Sequence, residues 1–265
     1  MESQKIFAHD RLFPYTESEE KFRDYFKQHP EFDPEYVLQH CYSGRKETRN
    51  WIESIWEKYS NYAEPDFLTH VREPGRFHSF TWQVYLASVL LEKKYQLEKN
   101  TGFGPDLKIK AGDKNIWIEA IITRSGDDIS ASGLPQSGAI YDALDPRVAR
   151  ISNALTKKYR IYKEKYLNKI CAEDEPFIVA INGSETNSLQ EARAAEAVVY
   201  ARGNDVIKFM PNGKSQEGLY ELREAVLVKK KDRIVTIPSN YFCSDSYKEI
   251  SAILYSEQHI INANS

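Results

Sequence analysis

The sequence has 265 residues, of which 41% are hydrophobic and 28% charged, so it can bury one sizeable core and is not expected to be disordered. Its formal net charge of −3 excludes a uniformly basic protein that coats nucleic acid, and a nucleic-acid partner would need a local basic patch. No stretch approaches the roughly 18 apolar residues of a membrane span. The start, MESQKIFAHDRLF, is too polar for a signal peptide. We therefore expect a cytoplasmic protein with no membrane partner.

The three cysteines, Cys41, Cys171 and Cys243, are widely spaced and form no C-x-x-C pair. An odd number of scattered cysteines excludes a disulfide framework and does not match the ligand spacing of a zinc site. We interpret them as ordinary buried or half-buried thiols.

The N-terminal part is predicted to be helical. Thr16 followed by Glu19 is a capping box, which predicts a helix over 16–29. Apolar residues at three- and four-residue steps predict a second helix over 47–62. The Glu73-Pro74-Gly75 segment then interrupts the helical pattern. Residues 1–76 are therefore interpreted as an N-terminal helical extension.

The middle of the chain, 77–185, is predicted to hold an α/β core. Its pattern predicts a helix, a meander of three short strands, a long helix and a strand buried on both faces, at 79–91, 95–99, 106–110, 116–123, 145–168 and 176–182. A turn sequence at 111–115 joins the second and third strands as a hairpin. Residues 186–265 are interpreted as a C-terminal α/β extension with a helix over 191–200, a short run at 206–210 and a β-hairpin formed by 225–229 and 234–237.

Two carboxylates stand out in this core. Asp106 follows Pro105 at the entry of a strand, and Glu119 is the only charge within the apolar run 116–122. A buried, unpaired carboxylate is costly, so Glu119 should be paired, protonated or bound to a metal. If the two strands are hairpin neighbours, Asp106 and Glu119 can meet on one face and offer oxygen ligands to Mg²⁺. The alternatives are an ion pair between Glu119 and a core Lys or Arg, or a solvated strand face.

Gly104-Pro105-Asp106 followed by Trp117-Ile118-Glu119-Ala120 resembles the motif of the PD-(D/E)XK, restriction-endonuclease-like nuclease superfamily, and the narrower match is to a bacterial group within it. The resemblance covers roughly 77–182. It implies a restriction-endonuclease-like core and a nuclease that hydrolyses phosphodiester bonds, most often in DNA. It also implies Mg²⁺ or Mn²⁺ held by Asp106, Glu119 and the Ala120 carbonyl.

The sequence departs from this motif at Ile121, which stands where the family carries a lysine. In related proteins the next helix supplies the missing cation. At about 100° per residue, Lys158 falls within the apolar stripe that includes Ile151 and Leu155, whereas Lys157 points away. Lys158 is therefore our candidate for the displaced catalytic lysine, and the alternative is a lysine whose stem packs while its ammonium reaches water.

Three further residues are candidates for supporting roles. Gln83 occupies a position where several family members carry a metal-assisting glutamate, and Arg124 and Arg150 could contact a phosphate. Basic residues along the long helix and at 229–231 could follow a nucleic-acid backbone, although such runs are usually solvated faces. A homodimer is possible. An inactive nuclease-fold binding module, and an interaction domain carried by the N-terminal helices, remain alternatives.

Overall fold

The computed structural model of the protein describes residues 11–13, 19–124, 129–130, 144–185, 191–209, 215–230 and 233–258. The helices of this part are α1 (Glu19–Gln28), α2 (Pro34–Cys41), α3 (Lys46–Tyr59), α4 (Phe67–His70), α5 (Phe77–Glu92), α6 (Leu144–Ile161) and α7 (Glu191–Tyr200). None of these helices has the length and hydropathy needed to cross a membrane.

The strands of the described residues form three sheets. They are β1 (Gln96–Leu97), β2 (Leu107–Ala111), β3 (Lys114–Arg124), β4 (Ile129–Ser130), β5 (Phe177–Glu185), β6 (Arg202–Phe209), β7 (Ser215–Leu222), β8 (Ala225–Lys230), β9 (Arg233–Pro238) and β10 (Ala252–Ser256). The central sheet has five strands in the order β1-β2-β3-β5-β10, and the smaller sheets are β4-β8-β9 and β6-β7. The protein is thus a mixed α/β structure.

The elements of the middle region occur in the predicted order. The helix α5 precedes β1, β2 and β3, and α6 then leads to β5. The hairpin between β2 and β3 turns at Gly112, whose φ of 63° favours glycine. The crossover through α6 makes β5 parallel to β3. Between them the chain also forms the short β4, which pairs with β8 in a separate sheet.

Several element boundaries differ from the prediction. The strand expected at 95–99 is only two residues long, and α6 ends at Ile161, after which a π-helical turn continues to Tyr166. Asn168 then takes a left-handed conformation with φ 60°. The sequence analysis did not find α2, α4, β4, β7 or β10. The predicted capping residue Thr16 lies outside the described residues.

The N-terminal helices share one hydrophobic core with the central sheet. This core joins Tyr36 of α2, Ile52 of α3 and Trp82 of α5 to Leu107 and Ile118 of the hairpin. The segments before and after residue 76 therefore stabilise each other, because both bury apolar side chains in this shared core. The N-terminal part covers one face of the sheet.

The opposite face of the sheet is covered by α6 and α7. Here Val148 and Leu155 of α6 pack with Val179 of β5 and with Val226 and Ile237 of the predicted β8-β9 hairpin. The C-terminal part also completes the central sheet, because β10 pairs in parallel with β5. The sheet is thus covered on both faces, which fits the continuous apolar composition of β5.

Candidate active site

Asp106 lies one residue before β2. At this point the pairing of β2 with β3 ends, but β3 itself continues to Arg124. The register pairs Leu107 with Ile118, so Asp106 stands opposite Glu119. Beyond this point the N–H of Ala120 has no strand partner on that side, and it donates instead to Oδ2 of Asp106 at 2.7 Å. The carboxylate thus replaces the next rung of the hairpin, and this bond fixes its position at the strand edge.

The backbone carbonyl of Asp106 is held from the other side by two amide side chains. Asn100 donates to it at 2.9 Å, and Gln83 of α5 donates at 3.3 Å. The same nitrogen of Gln83 also lies 2.8 Å from the hydroxyl of Tyr59, which is fully buried. Gln83 therefore connects the Asp106 segment to α3, and the N-terminal helices help to position the carboxylate.

Glu119 points to the face of the sheet that α6 covers. Side chains alternate along β3, so Trp117, Glu119 and Ile121 face α6, whereas Ile118 and Ala120 face α5. Glu119 is only 4% exposed. Nζ of Lys158 donates to its Oε1 at 2.5 Å, and its Oε2 is buried without a hydrogen-bond partner. Lys158 of α6 therefore approaches the sheet at Glu119 and forms an ion pair with this carboxylate.

Electrostatics at the site raise the pKa of both carboxyl groups and keep Lys158 charged. Burial, and then the Asp106 carboxylate, raise the pKa of Glu119 to about 7. Burial also raises the pKa of Asp106, although Lys158 opposes the shift. For Lys158 burial lowers the pKa, but the carboxylates of Glu119 and Asp106 outweigh it and the net pKa is raised. The ammonium therefore stays charged at neutral pH, and the two carboxylates repel each other.

Asp106, Ala120 and Lys158 line an open cleft of about 500 Å³, whereas the buried Glu119 is not among its lining residues. Two exposed cations also line the cleft: Arg76, which lies one residue before α5 and is ion-paired with Glu73 at 3.1 Å, and Lys157 of α6. Lys157 is exposed and lies off the apolar stripe of α6, as the helical repeat predicts, and it nevertheless lines the cleft. Both walls of the cleft therefore carry a cation.

The donor set at the strand edge suits a hard divalent cation. Among the described residues no three His, Cys, Asp or Glu side chains gather, so a metal here would be held by two carboxylates and by backbone, water or substrate oxygens, as Mg²⁺ commonly is. The N–H and C=O of one strand residue point to the same side, so the carbonyl of Ala120 faces the same edge as its N–H. The buried, unpartnered Oε2 of Glu119 is the oxygen that a cation would satisfy. Asp106, Glu119 and the carbonyl of Ala120 therefore fit a bound divalent metal ion.

The other candidates lie outside this cluster. Arg150 is two turns, about 12 Å, from Lys158 along α6, and it does not line the cleft. Arg124 is the last residue of β3, paired in register with Glu185, and its side chain lies outside the described residues. Lys163 of the basic helix is paired with Glu249. Besides Lys158, the basic residues that line the cleft are Arg76 and Lys157.

Two supporting residues were missed by the sequence analysis. Asn100 has no sequence pattern that marks it, because its contact with Asp106 depends on a loop. Tyr59 was recognised only as part of an apolar helical stripe, whereas its hydroxyl also accepts the hydrogen bond from Gln83.

Comparison with known proteins gave no match: no family model fits the chain, and no curated protein or solved structure is significantly similar to it.

Proposed function

We propose that this protein is a metal-dependent nuclease that hydrolyses phosphodiester bonds, with DNA as the favoured substrate. The observation that carries the proposal is the meeting of Asp106, Glu119 and Lys158 at one strand edge, where Asp106 and Lys158 also line an open cleft. An ion pair between Glu119 and Lys158 alone would be a common structural feature. A second carboxylate directly opposite, which raises the pKa of Glu119, destabilises the fold and is typical of a functional site.

The order α5, β1 to β3, α6 and β5 supports a restriction-endonuclease-like core within the mixed α/β structure. In such a core the carboxylates belong to the central hairpin, and the helix after it crosses the same face. Lys158 then takes the place of the motif lysine, since Ile121 is apolar and packs against α6 and its neighbours. Lys158 of α6 contacts Glu119, the carboxylate that a lysine at position 121 of the strand would contact.

Asp106, Glu119 and the carbonyl of Ala120 would hold Mg²⁺ or Mn²⁺. When bound, the metal supplies charge that polarises a phosphoryl oxygen and lowers the pKa of a nearby water. Oε1 of Glu119 is already occupied by Lys158, so Oε2 is the oxygen available to a ligand. The hydrogen bond from the N–H of Ala120 to Oδ2 orients the Asp106 carboxylate.

Lys158 is an electrostatic group and not a base. Its raised pKa keeps the ammonium protonated, and an ammonium has three donors and no acceptor. Hydrolysis forms a bond from water to phosphorus, breaks the bond from phosphorus to the leaving oxygen, and moves a proton from the water to that oxygen. Lys158 would donate to the negative charge that develops on the phosphoryl group, while Arg76 and Lys157 hold the flanking phosphates.

Purified protein should be incubated with Mg²⁺ or Mn²⁺ and with duplex DNA, single-stranded DNA or RNA. We expect cleavage of at least one substrate, loss of cleavage with EDTA, and loss of cleavage in Asp106→Ala and Glu119→Ala. Tyr200→Ala, an exposed substitution at the end of α7, is the control. Cleavage that Asp106→Ala leaves undiminished would exclude the assignment.

The Glu119–Lys158 ion pair also favours a second candidate, an inactive nuclease-fold module that binds nucleic acid or acts as a scaffold. In that case Lys158 permanently neutralises Glu119, and Ile121 and Gln83 mark the loss of the motif. Titration calorimetry with Mg²⁺ and Mn²⁺ separates the two candidates. No metal site dependent on Glu119 means that the inactive module is correct.

A further inference from the structure

The segment that leads into Asp106 projects an aromatic side chain into solvent. Phe103 is 78% exposed, the highest value for a large hydrophobic side chain among the described residues. It lies between Gly102 with φ 83° and Gly104 with φ 105°, conformations that other residues rarely adopt. At Gly104 an added Cβ would come within 3.2 Å of the Ile170 side chain. The backbone is thus shaped to hold Phe103 outward close to the site.

A second cleft of about 230 Å³ borders this segment. Phe103, Trp117 and Ile170 provide its apolar lining, and exposed Lys99 provides a cation. Half-buried Lys108 also lines the cleft, where it is ion-paired at 2.7 Å with Glu98. The ammonium of Lys108 lies 4.9 Å from the Trp117 ring centre. A flat apolar surface beside the exposed Lys99 complements a nucleotide, whose base is flat and apolar on its faces and whose phosphate is anionic.

The two clefts are close to each other. Phe103 precedes Asp106 by three residues, so their Cα atoms are at most about 11 Å apart. That distance corresponds to about three stacked nucleotides of one strand. Asn100 connects the two clefts, because it lines the smaller one and donates to the carbonyl of Asp106 in the larger one. A strand with its scissile phosphate at Asp106 can therefore place a nearby base at Phe103.

We propose that Phe103 and this smaller cleft form a base-stacking subsite for single-stranded nucleic acid, within a few nucleotides of the bond that is cut. The proposal rests on the proposed nuclease function and specifies its substrate as a strand with unpaired bases. Within a duplex the faces of a base are covered by its neighbours, and exposing one costs a few kcal/mol. An unpaired strand offers these faces at no such cost, and stacking does not depend on sequence.

The test uses a single-stranded oligonucleotide that contains 2-aminopurine, whose fluorescence falls when the base stacks, bound to the whole protein in EDTA so that nothing is cut. We expect binding with quenching for the wild-type chain. Phe103→Ala should weaken binding about 5- to 150-fold, the change that 1–3 kcal/mol per stacked base produces. Phe103→Trp should restore both binding and quenching.

Tyr200→Ala is the matched control, because Tyr200 is an exposed aromatic residue on α7, which packs near β10 at the opposite edge of the sheet. We expect it to bind like the wild type. Equal affinity of Phe103→Ala and wild type, or equal binding and quenching with the same base inside a duplex, overturns the proposal. So does a concentration-dependent dimer that is lost in Phe103→Ala while oligonucleotide affinity is unchanged, since the patch would then bind another copy of this chain.

The failure of this subsite can be told apart from failure of the nuclease function. If Phe103→Ala binds normally while Asp106→Asn no longer cleaves, the subsite is wrong and the nuclease stands. The other outcome is that Phe103→Ala loses binding although the wild-type protein does not cleave with any metal. In that case the subsite is correct, and the protein binds nucleic acid without cutting it. For an active enzyme, we expect Phe103→Ala to raise KM for single-stranded substrate more than it lowers kcat.

Discussion

Nζ of Lys158 lies 2.5 Å from Oε1 of Glu119 although 39 residues separate them in the chain. The lysine reaches this carboxylate from α6, across the face of the sheet on which Ile121 also lies. Glu119 is the buried partner of this pair, and Lys158 is the partner that lines the cleft. A helix residue thus supplies the cation that the strand lacks.

Lys158→Met should reduce both stability and cleavage. It removes the ammonium and leaves Glu119 as a buried carboxylate without its ion partner, so we expect a loss of about 3–5 kcal/mol in the free energy of unfolding at pH 8. The pKa of Glu119 is about 7 even with Lys158 present. The folded state therefore binds a proton as pH falls through that value, and the loss should be much smaller at pH 5.

Cleavage by Lys158→Met should fall by about 10²- to 10³-fold, the usual effect of removing one electrostatic group from an active site. Urea unfolding at the two pH values and single-turnover cleavage measure the two effects. Lys157→Met, exposed and one residue away, should change stability by less than about 0.5 kcal/mol. A stability loss in Lys158→Met that does not depend on pH would contradict the explanation.

Asp106→Asn should make the metal-free protein more stable while it abolishes cleavage. The amide oxygen can still accept from Ala120, but the like charge that raises the pKa of Glu119 is removed. One pKa unit corresponds to 1.36 kcal/mol, so we expect a gain of about 1 kcal/mol in EDTA at pH 8. In melting experiments Mg²⁺ should raise the Tm of the wild type and not that of Asp106→Asn. An equal rise in both proteins would place any metal elsewhere.

Gln83→Ala and Tyr59→Phe should separate positioning from stability. Each removes the hydrogen bond between these two buried side chains, and each should lower the free energy of unfolding by about 1–3 kcal/mol. Only Gln83→Ala also removes the bond to the Asp106 carbonyl, so it should reduce kcat about 10- to 100-fold through misplacement of the carboxylate. Tyr59→Phe should cleave nearly normally. The same kcat in both variants would show that Gln83 does not position Asp106.

His40 should make the fold sensitive to mild acid. Burial lowers its pKa to about 3, and nearby Arg49 and Arg72 add to the effect. Between pH 6.5 and 3 the unfolded chain binds a proton that the folded chain does not, so stability falls with pH by up to about 1.4 kcal/mol per pH unit. His40→Gln should show a shallower decrease in urea unfolding over this range. Parallel curves for the two proteins would exclude His40 as the cause.

Local patterns in the sequence predicted much of this fold, because they depend on residues close together in the chain. The turn sequence at 111–115 between two extended runs predicted the hairpin, and thereby the approach of Asp106 to Glu119. Helical periodicity placed Lys158 on the face of α6 that covers the sheet. Each of these inferences uses only the repeat of a strand or a helix and the length of a turn.

Only the tertiary structure determined what the rest of the chain contributes to the site. No local pattern indicates that β10 pairs beside β5, that Gln83 and Asn100 hold the Asp106 carbonyl, or that Lys157 borders the cleft. These contacts join segments that are distant in sequence or depend on irregular loops, and the burial of a shared core selects them. Asp106, Glu119 and Lys158 could thus be chosen from the sequence, whereas the Oε2 of Glu119 that is left without a partner is a property of the folded protein alone.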